Sequence, residues 1–258
     1  MKIYFIGAGP GDPELITVKG LRLIEEADVV LYADSLVNEQ LMQKCKLTAE
    51  IVKTAGMHLD EMVGLMVSRV KEGKKVVRVH TGDPAVYGAI MEQMALLKKE
   101  QVEVEIIPGV SSVFAAAARV GAELTIPELT QTVILTRAEG RTPVPEFEKL
   151  TQLAEHRCTI ALFLSATLTK KIVGEFLAAG WDEKTPVAVV YKATWPDEKI
   201  VRTTLENLDM DMQKNGIRKQ AMILAGWALD EHICDKDYRS KLYDQAFTHG
   251  YRKGVKAE

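Results

Sequence analysis

Apolar residues fall along this chain in two rhythms, short β-branched runs and longer stripes at helical spacing. Ile3 to Ile6, Val29 to Ala33, Val76 to His80 and Val104 to Ile107 are short runs of the first kind and predict strands. Leu59, Met62, Val63, Met66, Val67 and Val70 recur at the steps that place side chains on one face of a helix. Val86, Ile90, Met94 and Leu97 mark a second such stripe. Strands alternating with helices of this length predict a mainly parallel sheet covered on both faces, because a parallel connection needs a crossover. In the second half, Thr132 to Thr136, Thr159 to Leu164, Val187 to Tyr191, Ile200 to Thr204 and Met222 to Ala225 read as strands. Only some of the gaps between them can hold a helix, so hairpins and a mixed sheet are expected there.

The rhythm lapses between Gly121 and Leu129, which carry a glycine, Pro127 and two acids without a period. A boundary there gives an N-terminal α/β domain over 1–120, a C-terminal α/β domain over 130–234, and a charged tail over 235–258. Part of that tail is expected as a surface helix and part as frayed chain. Gly140 to Pro145 is too rich in proline for regular structure. No internal repeat is visible.

A chain of 258 residues with 47% hydrophobic and 27% charged residues can bury a substantial core and stay soluble. Cys45, Cys158 and Cys234 are far apart and odd in number. They fit neither a disulfide framework nor a zinc knuckle, and read as reduced thiols of a cytoplasmic protein. Met1 to Ile6 is too short an apolar run for a signal peptide, and no stretch approaches the length of a membrane span. The net charge of −3 does not point to nucleic acid, and clusters such as Lys98-Lys99 or Lys74-Lys75-Arg78 read as solvated faces.

In open parallel sheets, ligands bind beyond the carboxyl ends of the strands. Four predicted strand ends carry unusual sequences: Gly7-Ala8-Gly9-Pro10-Gly11-Asp12-Pro13, Asp34-Ser35, Thr81-Gly82-Asp83-Pro84 and Pro108-Gly109-Val110-Ser111-Ser112. The first invites a dinucleotide reading, but its spacing is Gly-x-Gly-x-Gly. Asp12 and Glu14 also stand where a pyrophosphate would sit, and they repel it. A cationic sulfonium cofactor meets no such conflict. Asp12-Pro13 and Asp83-Pro84 both read as helix starts, with an acid capping and proline at the first helical position. Asp83 serves equally to hold a ribose diol or face a sulfonium. Ser111 and Ser112 cap the next helix or bind the methionine end of such a cofactor. His58, His80, His156, His232 and His249 show no metal-ligand spacing, and His80 reads as a satisfied buried histidine; no metal is expected. Tyr87 and Phe163 have the chemistry to stack on an adenine, though core packing explains either one alone. On the residues alone, this is a two-domain α/β protein with a polar cleft.

Several motifs together resemble the tetrapyrrole methylase family. Ile6 to Thr17 looks like its opening signature, His80-Thr81-Gly82-Asp83-Pro84-Ala85-Val86-Tyr87-Gly88 like its second, and Ile107 to Ser112 like its third. Ala161 to Ala166 and Tyr191-Lys192-Ala193-Thr194-Trp195-Pro196 fall where the family has further cofactor-lining segments. The similarity runs from about residue 2 to 228. Tyr32-Ala33-Asp34-Ser35-Leu36-Val37 is similar to the branch that methylates C-11 of precorrin-4 or cobalt-precorrin-4 in cobalamin synthesis. The Asp-Arg pair usual in the uroporphyrinogen III branch is missing there.

The resemblance implies two α/β domains, a mainly parallel N-terminal sheet and a mixed C-terminal one, with S-adenosyl-L-methionine in the cleft between them. S-adenosyl-L-homocysteine is then the product, a tetrapyrrole the small-molecule partner, and a homodimer the assembly. Carried onto this sequence, the cofactor contacts are Pro10, Gly82, Asp83, Val86, Tyr87, Ser111 and Ser112, then Phe163, Tyr191, Ala193, Ala221 and Met222. The substrate side takes Gly9, Gly11, Asp12, Asp34 and Ser35. Asp34 is the one side chain singled out as a proton acceptor, and a structural or pyrrole-binding role suits it as well. Substrate carboxylates call for cations, and Arg78, Arg119, Arg137 and Arg141 are available. Other readings stay open: metal-free precorrin-4 or uroporphyrinogen III as substrate, a methylase of RNA or protein, a cofactor-binding sensor, or a dinucleotide oxidoreductase.

Overall fold

Five strands build the first sheet: β1 (Lys2–Gly7), β2 (Val29–Tyr32), β3 (Glu50–Lys53), β4 (Val76–His80) and β5 (Glu103–Ile107). They stand in the order β3-β2-β4-β1-β5, and the paired neighbours all run parallel. β1 and β4 are therefore adjacent although β2 and β3 lie between them in sequence. The chain leaves β1 toward one edge of the sheet and leaves β4 toward the other. That reversal opens a crevice at the carboxyl ends of β1 and β4, the place where such sheets bind ligands.

In this computed structural model, which describes residues 1–236 and 238–255, β2 and β4 are buried along their whole length and β1 over most of its own, as the β-branched runs predict. Ile3, Phe5, Val29, Leu31 and Val76 face Met62, Val63, Met66, Val67 and Val70 of α2 (Leu59–Lys71) and Ile90 and Leu97 of α3 (Ile90–Lys99). Their alternate neighbours Ile6, Val30, Tyr32, Val77 and Val79 turn to the other side, against Leu23 and Ile24 of α1 (Val18–Glu25). This is the period of two expected of pleated strands. Two details differ from the sequence expectation. β3 was not foreseen, because Glu50-Ile51-Val52-Lys53 offers two apolar residues between charges, the composition of an edge strand. Val86 does not belong to the stripe of α3. Tyr87 and Ala89 have φ of 54° and 48°, so Asp83-Pro84 opens a turn and no helix starts before Ile90.

The second sheet holds β6 (Val133–Arg137), β7 (Thr159–Phe163), β8 (Pro186–Tyr191), β9 (Lys199–Thr204) and β10 (Ala221–Ala225), in the order β6-β7-β10-β8-β9. β6 and β7 are parallel while β10 runs antiparallel to β7 and β8, so the sheet is mixed. The remaining helices are α4 (Ser112–Arg119), α5 (Leu150–Ala154), α6 (Thr169–Ala178) and α7 (Leu208–Lys214). Ile160, Leu162, Val187, Val189 and Ile223 pack with Leu150, Ile172, Phe176, Leu208 and Met212. Trp181 meets Phe176 edge-on at 4.4 Å and donates its indole N–H to Ala154 O at 2.6 Å.

The chain divides into two compact units, Met1–Ala116 with Lys192–Lys199, and Ala117–Tyr191 with Ile200–Glu258. The segment Lys192–Lys199, in the second half of the sequence, thus folds with the first sheet. Among the described tail residues there is no surface helix, only single 3-10 turns at Ile233–Asp235 and Lys241–Tyr243. Leu242, Tyr243 and Phe247 are exposed, so no buried apolar face holds a helix there.

Candidate active site

The glycine loop after β1 is held to the loop after β4 by a reciprocal backbone pair. Gly82 N donates to Gly9 O at 2.8 Å, and Gly9 N to Gly82 O at 3.2 Å. A third loop, after β5, closes against both. A methyl group at Gly7 would lie 2.6 Å from Gly109 N and 2.6 Å from Gly82 O. One at Gly109 would overlap Gly82 O and stand 2.8 Å from the Cα of Gly7. Three strand ends therefore meet backbone to backbone, a closeness only glycine permits.

Carboxylates close the ends of these loops. Asp12 Oδ1 accepts from Glu14 N at 2.9 Å, capping a short 3-10 helix that begins at Pro13. Asp83 accepts from Ala85 N at 2.8 Å with one oxygen and from Gly109 N at 2.9 Å with the other. It is thus a cap of the following turn and also a stitch between the β4 and β5 loops. A phosphate at either position would meet a carboxylate in place of open N–H groups, which disfavours a dinucleotide and suits a cation. Ser111 is buried beyond β5, and its carbonyl accepts from Phe114 N and Ala115 N as α4 opens. Gly82 faces that opening, where an added methyl would stand 3.7 Å from Ser112 N. Val86 and Tyr87 lie in the turn before α3, and Tyr87 is 48% exposed, so it is not a core aromatic.

Asp34 and Ser35 follow β2, and Asp34 Oδ1 accepts from Ala55 N at 2.9 Å. Beside them the Tyr32 hydroxyl donates to Glu39 at 3.3 Å, and Glu39 pairs closely with Lys53. The Lys53 ammonium holds the Glu39 carboxyl below its ordinary range, while burial, ahead of the Glu39 charge, pushes the Tyr32 phenol up. One turn on, Asn38 Nδ2 donates to Gly11 O at 2.9 Å.

The segment Lys192–Lys199 lies on the same loop. Trp195 Nε1 donates to Pro10 O at 2.9 Å, and Thr194 Oγ1 accepts from Asp12 N at 2.9 Å. A methyl at Gly11 would overlap the Trp195 indole. Ala193 of this segment is buried. Thus Gly9, Pro10, Gly11, Asp12, Gly82, Asp83, Ser111 and Ser112 are brought together around the ends of β1, β4 and β5. The roles of Asn38, Thr194 and Trp195 escaped the sequence reading; their partners are backbone groups, which leave no residue signal.

In the second unit, Phe163 ends β7, Tyr191 ends β8, and Ala221 and Met222 begin β10. Because β10 is antiparallel to both, Ala221 pairs with Tyr191 and Met222 with Val190, so these residues share one end of that sheet. The same end is stitched by Ser165, whose Oγ accepts from Ala138 N at 2.9 Å and donates to Phe163 O at 2.6 Å.

Two expectations about cations and histidine need correction. Arg78 and His80 are buried in β4, on the face that carries Phe5; the His80 and Phe5 rings lie 5.2 Å apart. Arg78 is therefore not open to a carboxylate-rich ligand, and burial lowers its guanidinium to about 10. His80 is buried but not satisfied, since its Nε2, like Arg78 Nε, has no hydrogen-bond partner among the described residues. Burial first, then the Arg78 charge, lowers the imidazole to about 3, so it is neutral. Arg137 forks onto Thr142 O and Pro143 O, bracing the proline-rich loop. Among the described residues no group of three or more His, Cys, Asp or Glu is placed to hold a metal ion. No helix of the described residues is long and apolar enough to cross a membrane.

Comparison with known proteins gives this geometry a context. The family model described as Tetrapyrrole (Corrin/Porphyrin) Methylases matches residues 2–209. A cobalt-precorrin-4 C(11)-methyltransferase of Priestia megaterium is 77% identical over 258 residues, covering 100% of both chains. An X-ray structure of a cobalamin biosynthetic enzyme, cobalt precorrin-4 methyltransferase, matches with a TM-score of 0.88 at 76% identity, over 89% of this chain and 96% of that one. Uroporphyrin-III C-methyl transferase of Thermus thermophilus, solved with S-adenyl homocysteine, matches with a TM-score of 0.75 at 30% identity, over 89% of this chain and 94% of that one.

Proposed function

The chain belongs to the tetrapyrrole (corrin/porphyrin) methylases, and from that premise we propose that it moves the methyl group of S-adenosylmethionine to C-11 of cobalt-precorrin-4 in cobalamin synthesis. The observation that carries this reading is the 77% identity over the full length of a relative with that activity in its name. The donor set agrees with the cofactor. Helix and turn starts after β1 and β4 are closed by Asp12 and Asp83, which conflict with phosphate and favour a sulfonium.

When bound, S-adenosylmethionine supplies an electrophilic methyl carbon on sulfur. What the protein must add is alignment of that carbon with the ring nucleophile, and exclusion of water while charge disappears. We assign Gly9, Gly11 and Asp12, with Asp34 and Ser35, to the tetrapyrrole. Pro10, Gly82, Asp83, Val86 and Tyr87 are assigned to the cofactor. Ser111, Ser112 and the N–H groups opening α4 suit its methionine carboxylate. Ala193, and from the second unit Phe163, Tyr191, Ala221 and Met222, complete the set. The electron-rich macrocycle provides its own nucleophile, so Asp34, oriented by Ala55 N–H, has only to take a proton or hold a pyrrole N–H. A homodimer in the cytoplasm completes the proposal, on family resemblance and on the unpaired cysteines.

The test is anaerobic methyl transfer from labelled S-adenosylmethionine, offering cobalt-precorrin-4, metal-free precorrin-4 and uroporphyrinogen III. Label entering cobalt-precorrin-4 at C-11 is the expected result. Preference for metal-free precorrin-4 would move the enzyme to the other branch of the C-11 methylases, and label on uroporphyrinogen alone would overturn the reading.

A further inference from the structure

The glycine loop has its three central residues each held from outside by a different side chain. Pro10 O takes the Trp195 indole N–H, Gly11 O takes the Asn38 amide, and Asp12 N gives its proton to Thr194 Oγ1. Two of these three holds come from one short segment that leaves β8 and returns to β9. That segment is itself braced by internal bonds. Lys192 pairs with Asp197 at 2.7 Å and places its ammonium 5.2 Å from the centre of the Trp195 ring. Thr194 N donates to Glu198 at 2.6 Å, and Trp195 N to Lys192 O at 3.0 Å.

Thr194 adopts φ of 69°, a region where a β-branched residue is an outlier and where glycine or asparagine sits without strain. Packing the indole against Gly11 does not require a threonine in that conformation. What threonine supplies and glycine lacks is the hydroxyl oxygen, and that oxygen meets the Asp12 amide. Strain of this kind persists where the surroundings over-determine it, and it gathers at working sites.

We infer that Thr194 and Trp195 are positioning residues: Thr194 fixes Asp12, and Trp195, packed on Gly11 and bonded to Pro10 O, fixes the loop beside it, in the shape that receives the tetrapyrrole. The inference rests on the proposed assignment of Gly9, Gly11 and Asp12 to the substrate; Pro10, between them, is assigned to the cofactor. Thr194 and Trp195 touch neither reacting atom; they act through the loop backbone. Losing either hold lets the loop drift, and small displacements of a positioning element cost large factors in rate.

The experiment compares Thr194→Gly, Thr194→Ser and Trp195→Phe in the full chain. The first relieves the backbone strain but removes the oxygen, the second keeps the oxygen, and the third keeps a ring but removes the N–H. Expected for Thr194→Gly and Trp195→Phe is a rise of roughly tenfold in KM for cobalt-precorrin-4, the loss of about one hydrogen bond, with S-adenosylhomocysteine affinity by calorimetry unchanged in Thr194→Gly. Hydrogen exchange of the peptide containing Gly11 and Asp12 should speed up in both variants, and Thr194→Ser should restore both readouts. An unchanged KM in either variant, or cofactor affinity falling in step with turnover in Thr194→Gly, would overturn the inference. So would exchange identical to the parent. If the parent protein methylates no tetrapyrrole, the proposed function fails instead, and loop exchange alone then decides whether the loop is pinned.

Discussion

Both units are built on five strands, yet they connect them differently and so present their chains differently. In the first sheet every hydrogen-bonded pair is parallel, so all five strands release their loops at one end. Three of those loops then meet through backbone atoms at Gly7, Gly82 and Gly109. In the second sheet β10 runs against β7 and β8, so one end gathers the ends of two strands and the start of a third. Its strand ends are joined by the hydroxyl of Ser165, where the first unit uses a carboxylate and glycine-to-glycine contact. A parallel sheet concentrates backbone at one place, and glycine is the only residue that allows it to come so close.

Glycine substitution separates the two regions most strongly. Gly109→Ala forces a methyl into Gly82 O and Gly7, and should cost more than about 3 kcal/mol with loss of methyl transfer. Gly174→Ala in α6, with nothing within 4 Å of the added methyl, should leave activity intact and raise stability by up to about 1 kcal/mol. Urea denaturation of both variants checks the pair, and equal effects would remove the distinction.

The two stitches come next. Asp83→Ala strips an ionised acceptor from Ala85 N and Gly109 N, with an expected loss of about 2–4 kcal/mol. Ser165→Ala leaves the Ala138 amide without its acceptor, at about 1–3 kcal/mol. Asp83→Ala should also weaken S-adenosylhomocysteine binding in calorimetry, since Asp83 is assigned to the cofactor.

The smallest effect at neutral pH belongs to His80, and acid enlarges it. Its folded pKa is about 3 against an ordinary 6.5, so the native state keeps it neutral while the unfolded chain takes a proton. Its contribution is constant above about pH 6.5. It falls as pH drops toward 3, by about 1.4 kcal/mol per pH unit. His80→Gln should flatten that part of the stability profile and change little at pH 7.5; an unchanged acid slope would show that His80 is solvated.

β2 and β4 were legible because they are buried on both faces and so spell continuous apolar runs, as Val76 and Val77 do in β4. β3 was not, since an edge strand needs little apolar sequence. The glycine, aspartate and serine loops were legible as strand-end punctuation, and their order along the chain pointed to the family. The turn at Tyr87 and Ala89 was hidden, because left-handed backbone at residues other than glycine has no composition signal. Arg78 looked like part of a surface cluster with Lys74 and Lys75. β4 is the central strand and is buried on both faces, so Arg78 is buried within it, while Lys74 and Lys75 just before the strand pair with Glu72 and Glu26. Thr194 and Trp195 stand within the Tyr191 to Pro196 motif, but their role has no local signal because their partners lie at the other end of the chain.

That separation has a consequence for how the protein is made. Asp12 and the Thr194 hydroxyl that receives its amide are 182 positions apart. At ordinary elongation rates the ribosome delivers the threonine on the order of 10–40 s after the loop it must hold. For that interval the nascent glycine loop lacks two of its three outside holds, however early β1 and β4 pair. A chain truncated before Lys192 would never acquire them, so the first sheet cannot be cut out at Ala116 and keep the loop it carries in the whole protein.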